Sequence, residues 1–287
     1  MRLTVLGGSA AIPNAGSGCA GFLVQEGETR VVLDLGPGTI GELRRHVDLA
    51  DVDAVVISHL HVDHVLDVVA LRHGLAFTPE PPTEPLTVWL PPEGEALLRA
   101  TLAPLEAWMP AGRFDGAVTL QEYDPSRALV FDGSGRAVMW PPAEGGRDES
   151  RGHRVGGSLA TFGSDPLLTL TFHRTVHDVP CWAIRADGAT GTVIYGADGG
   201  PGSDLAAFAR GADLLIAEAT LIAGGGEPER GSLTASEAGE LATRSNAKRL
   251  VLTHVWQEHG VERQREAAAT SYDGPISVAR PGLVLEV

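Results

Sequence analysis

The apolar run Asp53-Ala54-Val55-Val56-Ile57 is followed at once by Ser58-His59-Leu60-His61-Val62-Asp63-His64. This stretch constrains the fold more than any other, because buried polar groups must be hydrogen-bonded or bound to a metal. Three imidazoles and a carboxylate at one strand exit are most simply satisfied by a shared cation. Imidazole nitrogen and carboxylate oxygen are borderline ligands that Zn²⁺, Fe or Mn accept, and no cysteine pair stands at the spacing of a closed structural zinc site. The competing reading is a solvated histidine-rich turn, a known hazard of short motifs.

The rest of the chain weighs against that turn. Leu167 to His173 reads as a strand whose exit carries His177, Thr192 to Tyr195 as one whose exit carries Asp198, and Arg249 to Thr253 as one whose exit carries His254. Four strand-like runs that each deliver metal-type side chains to the loop beyond them imply a sheet scaffold with one functional edge. Together they offer seven ligand-type residues, enough for two metal ions with open positions.

Composition limits the partners. A net charge of −15 repels phosphate polymers and anionic membranes, whereas an unassisted nucleic-acid binder is normally basic. The two cysteines, Cys19 and Cys181, make no disulfide framework and fit a reducing compartment. The first residues enter a strand pattern directly, with no signal-like apolar region and no apolar run of membrane-spanning length. The expectation is a cytoplasmic protein without a membrane partner, with a homodimer as its oligomeric option.

Elsewhere, residues 2 to 6 read as a buried strand ending in a small-residue loop from Gly7 to Gly18. Phe22 to Gln25 and Arg30 to Leu35 read as a hairpin, with helices at Thr39 to His46 and from Val65 to His73. A strand at Leu86 to Leu90 precedes a helix from about Glu93 to Trp108. Residues 109 to 166 are expected to be a variable insertion. Within them, 141 to 164 read as a flap or disordered loop, since there is almost nothing to bury. Asp213 to Glu218 reads as a buried strand, Thr234-Ala235-Ser236-Glu237 as a capping box, and Glu258 to Ala269 as a polar helix. The whole chain, 1–287, is expected to be one domain.

These residues resemble the metallo-β-lactamase fold superfamily, and within it the branch around ribonuclease Z, the phosphodiesterases and arylsulfatase-like hydrolases. The resemblance rests on Leu6 to Pro13, Leu33-Asp34-Leu35-Gly36-Pro37-Gly38, Ser58 to His64, His177-Asp178-Val179-Pro180 and Tyr195-Gly196-Ala197-Asp198. It continues in Glu218-Ala219-Thr220 and Leu252-Thr253-His254. It implies an α+β fold, the four-layer αββα sandwich. It further implies that His59, His61 and His177 hold one metal, that Asp63, His64 and His254 hold another, and that Asp198 bridges them. Two divalent ions, Zn²⁺ first with Mn²⁺ or Fe²⁺ as alternatives, would hold a hydroxide between them and clamp the oxygens of the reacting centre. Asp63 could also orient that hydroxide.

Two departures narrow the function. Where the ribonuclease Z pattern has a histidine before its Leu-Thr-Ala helix start, this chain has Ser232, whose hydroxyl can donate a hydrogen bond but is a poor general acid. His173 and His259 are the candidate substitutes. The segment between His177 and Asp198 has no room for a tRNA-gripping arm, so tRNA is not the expected partner. The function implied is hydrolysis of a small ester, a phosphodiester first, by a metal-bridging hydroxide, with Asp63 and Ser232 as catalytic residues. The alternatives are a carboxylic ester, lactone or sulfate ester hydrolase, and a catalytically weak protein that binds a metal and a metabolite.

Overall fold

The computed structural model describes residues 1–79, 84–109, 116–133, 135–141, 147–148, 153–154, 167–223 and 227–287. Two large sheets lie face to face. The first runs, in spatial order, β17 (Val284–Glu286), β1 (Arg2–Gly7), β2 (Gly21–Glu26), β3 (Thr29–Leu35), β4 (Ala54–Val56), β5 (Leu86–Leu90) and β6 (Val118–Glu122). The second runs β16 (Ile276–Val278), β15 (Leu250–Thr253), β14 (Leu214–Glu218), β13 (Thr192–Tyr195), β12 (Trp182–Gly188), β11 (Leu168–Arg174), β7 (Ala128–Phe131) and β8 (Ala137–Trp140). A separate two-residue ladder pairs β9 (Arg147–Asp148) with β10 (His153–Arg154).

The layering follows from strands that are apolar on both faces. Successive side chains of a strand point to opposite faces. Val31 and Leu33 of β3 therefore enter the core between the sheets and Val32 a second core, which Leu35 joins because the register shifts at Asp34, whose φ is 56°. That second core lies under the helices α1 (Thr39–Leu43), α2 (Val62–Val65), α3 (Asp67–Phe77) and α4 (Gly94–Glu106). The same alternation puts Leu214 and Ile216 of β14 inside, and Leu215 and Ala217 in a third core. The third core packs against α5 (Leu205–Phe208), α6 (Ala235–Ser245) and α7 (Val261–Ala269). The result is the αββα sandwich, and truncating a fully buried side chain such as Leu33 to Ala should cost about 2–5 kcal/mol.

Strand direction puts the functional edge in one place. β3 and β4 are parallel, as are β13, β14 and β15. β11 is antiparallel to β12, which is antiparallel to β13, so β11 points the same way as β13. The exits of these strands therefore share one edge of the sandwich.

Local differences from the sequence reading have local causes. α1 stops at Leu43 instead of reaching His46, and Gly41 inside it weakens a short helix. The helix expected from Val65 is two helices that meet at Leu66. The polar helix begins only at Val261, because Gly260 takes a φ of 79° after the turn Gln257–His259. α6 carries the expected capping box: Glu237 N–H donates to Thr234 Oγ1 and Thr234 N–H donates to Glu237 Oε2. Of residues 109 to 166, β6 extends the first sheet and β7 and β8 the second. The flap reading for 141 to 164 lies largely outside the described residues.

Candidate metal centre

The structure brings together all seven side chains named from the strand exits. His61 Nδ1 lies 3.2 Å from His59 Nε2 and 3.1 Å from His177 Nε2. Asp198 Oδ2 lies 3.7 Å from both His59 Nε2 and His177 Nε2, 3.4 Å from His64 Nε2 and 3.3 Å from His254 Nε2. Asp63 Oδ2 lies 3.0 Å from His254 Nε2 and 3.6 Å from His64 Nε2. Among the described residues three groups could hold an ion, His59/His61/His177/Asp198, Asp63/His64/His254 and Asp34/His59/His64, the last of them overlapping the other two, with Asp34 already bonded to His64 Nδ1. Asp198 faces the first two.

An outer ring of contacts aims the imidazoles. His59 Nδ1 donates to Ser58 Oγ at 3.0 Å, His64 Nδ1 to Asp34 Oδ2 at 2.7 Å and His177 Nδ1 to the Gly231 carbonyl at 2.8 Å. His254 Nδ1 donates to Thr220 Oγ1 at 2.7 Å, and Thr220 in turn donates to Glu218. A proton fixed on Nδ1 by an outer acceptor leaves the Nε2 lone pair facing inward, which is how metal-ligating histidines are oriented. Asp34 also accepts from Ser58 N–H at 2.6 Å and from the Tyr195 hydroxyl at 2.7 Å.

Electrostatics favour a cation at the centre. Burial, together with the neighbouring imidazoles, pushes His59 well below the usual histidine range and lowers His61. His61 Nδ1 faces His59 Nε2 and His177 Nε2 at 3.2 and 3.1 Å, so three ring nitrogens converge where a cation could take their lone pairs. Burial also disfavours a proton on His64, but the Asp198 and Asp34 carboxylates outweigh it and raise that ring. Burial would raise Asp198 and Asp63 as well, yet the surrounding histidines hold both carboxylates down. His64 Nε2 is buried and has no hydrogen-bond partner. Such an orphan atom is costly unless a bound ion satisfies it.

The backbone is strained where these groups meet. Asp34, Ala197 and His254 have φ of 56°, 51° and 55°, a region that costs of order 1–3 kcal/mol for residues with a side chain and clusters at functional sites. Gly36 makes close approach possible, since a Cβ there would fall 1.8 Å from the Asp63 carbonyl oxygen.

The remaining candidates are placed differently. Ser232 is half-buried and directly follows Gly231, whose carbonyl holds His177. His173 is turned to other work: Nε2 donates to the Ser203 carbonyl at 2.9 Å and the ring stacks on Phe208. His259 is half-buried, with Nδ1 lacking a partner. Sequence reasoning assigned no role to Ser58, Asp34, Tyr195, Thr220 or Glu218. Two of these had a local signal, since Asp34 and Glu218 are lone acidic residues near the ends of otherwise apolar runs.

The model of the Beta-lactamase superfamily domain matches residues 29–255. The protein named "Probable metallo-hydrolase YhfI" of Bacillus subtilis is 26% identical over 286 residues, covering 100% of both chains. The crystal structure of YhfI, described as a metallo-beta-lactamase fold protein, superposes with a TM-score of 0.74 at 24% identity over 99% of each chain. A Myxococcus xanthus protein named ribonuclease Z is 28% identical over 309 residues, covering 100% of this chain and 98% of its own. The structure of a new diphosphatase from the PhnP family has a TM-score of 0.66 at 19% identity, covering 100% and 97%.

Proposed function

The chain belongs to the beta-lactamase superfamily domain family and is a metal-dependent hydrolase, and from that premise we propose that its substrate is a small ester, a phosphodiester first. His59, His61 and His177 would hold one divalent ion, Asp63, His64 and His254 a second, with Asp198 between them and Zn²⁺ the first expectation. The observation that carries this reading is the inward convergence of imidazole nitrogens at 3.1–3.2 Å, with His59 and His177 aimed by their own outer partners. Bound there, two divalent ions would supply Lewis-acid polarisation of the ester oxygens and lower the pKa of water from ~15.7 towards ~7.

The protein's own groups would do the rest. Asp63 is held by the Ala11 N–H at 2.8 Å on Oδ2, so its carboxylate has a fixed orientation from which to position an attacking water. Ser232 offers a hydroxyl to the leaving oxygen, next to the Gly231 carbonyl that fixes His177. Asp198, held deprotonated by the histidines around it, supplies the negative charge that two cations in a buried site require.

The relatives named ribonuclease Z and diphosphatase support phosphate ester chemistry, while the charge of −15 argues against a polyanionic substrate such as tRNA. No helix among the described residues is long and apolar enough to cross a membrane. A cytoplasmic location is proposed from the free, buried cysteines Cys19 and Cys181. The test is a panel of esters offered to metal-loaded protein. Cleavage of bis-p-nitrophenyl phosphate or a small cyclic nucleotide, with precursor tRNA left intact, is expected. Activity confined to lactones, carboxylic esters or aryl sulfates would move the substrate to those classes, and hydrolysis of none would favour a metal- and metabolite-binding protein.

A further inference from the structure

The loop between β1 and β2 makes a set of contacts of which the hydrolase reading uses only the Ala11–Asp63 bond. It is closed on itself: Gly8 N–H and Ser9 N–H both donate to the Gly18 carbonyl at 3.1 Å, Asn14 N–H donates to Ser9 Oγ at 3.0 Å, and Ser9 Oγ donates to the Ser17 carbonyl at 3.2 Å. From this closed form it reaches two of the strand exits at the centre. Ala11 N–H donates to Asp63 Oδ2 at 2.8 Å, and Ala20 N–H donates to the Asp63 carbonyl at 3.3 Å.

On the other side the loop grips the residue after His254. Val255 N–H donates to the Gly8 carbonyl at 3.1 Å, and Asn14 Nδ2 donates to the Val255 carbonyl at 2.8 Å. Asn14 Oδ1 then accepts from Gln257 N–H at 3.3 Å, and Ala15 N–H donates to Gln257 Oε1 at 3.0 Å. Both polar groups of Val255 are thus taken by the loop. This matters because His254 stands at a φ of 55°, a conformation a side-chain-bearing residue keeps only when its surroundings over-determine it.

We infer that residues 8–20, clasped by Asn14, set the affinity of the Asp63/His64/His254 group for its ion without governing the His59/His61/His177 group, which makes Asn14 a positioning residue. The inference rests on the dinuclear reading proposed above. The asymmetry is visible in the contacts. The loop bonds Asp63 directly and braces His254 through its neighbour Val255, whereas the outer partners of His59 and His177 are Ser58 and the Gly231 carbonyl. One loop that fixes two ligands of the same ion sets the distance between them. Its loss would loosen one ion and spare the other.

The test is stepwise uptake of Co²⁺ by metal-free protein, followed by visible absorption, which reports each ion's ligand field rather than turnover. His177→Ala and His254→Ala identify which equivalent belongs to which group. Outer partners of ligands typically contribute 10–100-fold in metal affinity, so Asn14→Ala is expected to weaken the equivalent lost in His254→Ala by about that factor and leave the other nearly unchanged. In a His254→Ala background Asn14→Ala should add nothing further. Asn14→Asp keeps the acceptor for Gln257 N–H but sets a carboxylate oxygen against the Val255 carbonyl in place of a donor, and should weaken the same equivalent at least as much as Asn14→Ala. Gln257→Ala removes only the lesser clasp and should weaken the same equivalent more mildly, which tests the inference if Asn14→Ala does not fold. Equal weakening of both equivalents, or of neither, in a parent that takes up two ions would overturn this inference alone. A parent that takes up fewer than two would overturn the dinuclear reading and this inference with it.

Discussion

His64 Nδ1 and Asp34 Oδ2 stand 2.7 Å apart with neither side chain exposed. Asp34 also accepts from the Ser58 amide and hydroxyl and from Tyr195, so one buried carboxylate orients the histidine loop from below. Asparagine tolerates the left-handed backbone that Asp34 adopts, so Asp34→Asn removes the charge without a backbone penalty. Metal affinity is expected to fall about 10–100-fold, and the metal-free protein to lose about 3–5 kcal/mol, as when one partner of a buried pair is removed. Chelator competition and urea unfolding of metal-free protein measure the two effects.

That relationship also marks where the sequence stopped being informative. His59, His61, Asp63 and His64 stand within six residues, so their chemistry can be read locally, and β-branched runs ahead of His177, Asp198 and His254 reveal the shared edge. The αββα layers follow from strands apolar on both faces. Asp34, Tyr195, Thr220 and Glu218 act through contacts spanning many residues of chain, such as Tyr195 to Asp34, and a lone acidic residue near a strand end does not say what it will meet. The edge strands β6 and β8, and β7 beside β8, read as strand-like pieces in the sequence, but nothing local assigns them to a sheet. They border segments poor in apolar residues, where periodicity gives no frame.

Glu218 should make the metal-free protein less stable as pH rises. Its burial and the Asp198 charge outweigh the opposing His254 charge and its hydrogen bonds, and push its carboxyl up to about 7. The unfolded chain releases that proton near 4.3, so between about pH 4.5 and 7 the folded state binds more protons and stability falls as pH increases. Glu218→Gln should remove this component, worth on the order of 3 kcal/mol across the window at ~1.4 kcal/mol per pH unit. The check is the difference in unfolding free energy between variant and parent at several pH values. A difference independent of pH would show that Glu218 does not titrate there.

Ser232 should limit which leaving groups the protein can expel. General-acid assistance is typically worth ~10²–10⁴-fold for a poor leaving group and far less for a stable anion. Activated aryl esters should therefore turn over much faster than alkyl esters of the same acid, and Ser232→His should narrow the gap. His173 is bonded to the Ser203 carbonyl, so His173→Ala should leave the leaving-group dependence as in the parent. His259 is the remaining candidate for a substitute acid. A shallow dependence of rate on leaving-group pKa in the parent that steepens in His259→Ala would assign the role to it.

Gly36 should not accept a side chain. The Cβ of Gly36→Ala would lie 1.8 Å from the Asp63 carbonyl oxygen and 2.9 Å from Cys19 Cβ, and neither neighbour is the end of a flexible chain. Overpacking of this kind typically costs 1–3 kcal/mol or more, and here it must displace the loop that carries Asp63. Gly36→Ala is expected to lower both the melting temperature and the metal content. Gly41→Ala, where a Cβ meets nothing within 4 Å, should do neither.

Elemental analysis of protein purified without chelator tests the central claim most directly. The seven convergent side chains are expected to hold close to two divalent ions per chain, and Asp198→Ala, which removes the carboxylate facing both groups, should lower the occupancy of both. Binding that stays at or below one ion per chain after reconstitution with zinc, manganese or iron would contradict the dinuclear centre on which the hydrolytic mechanism depends.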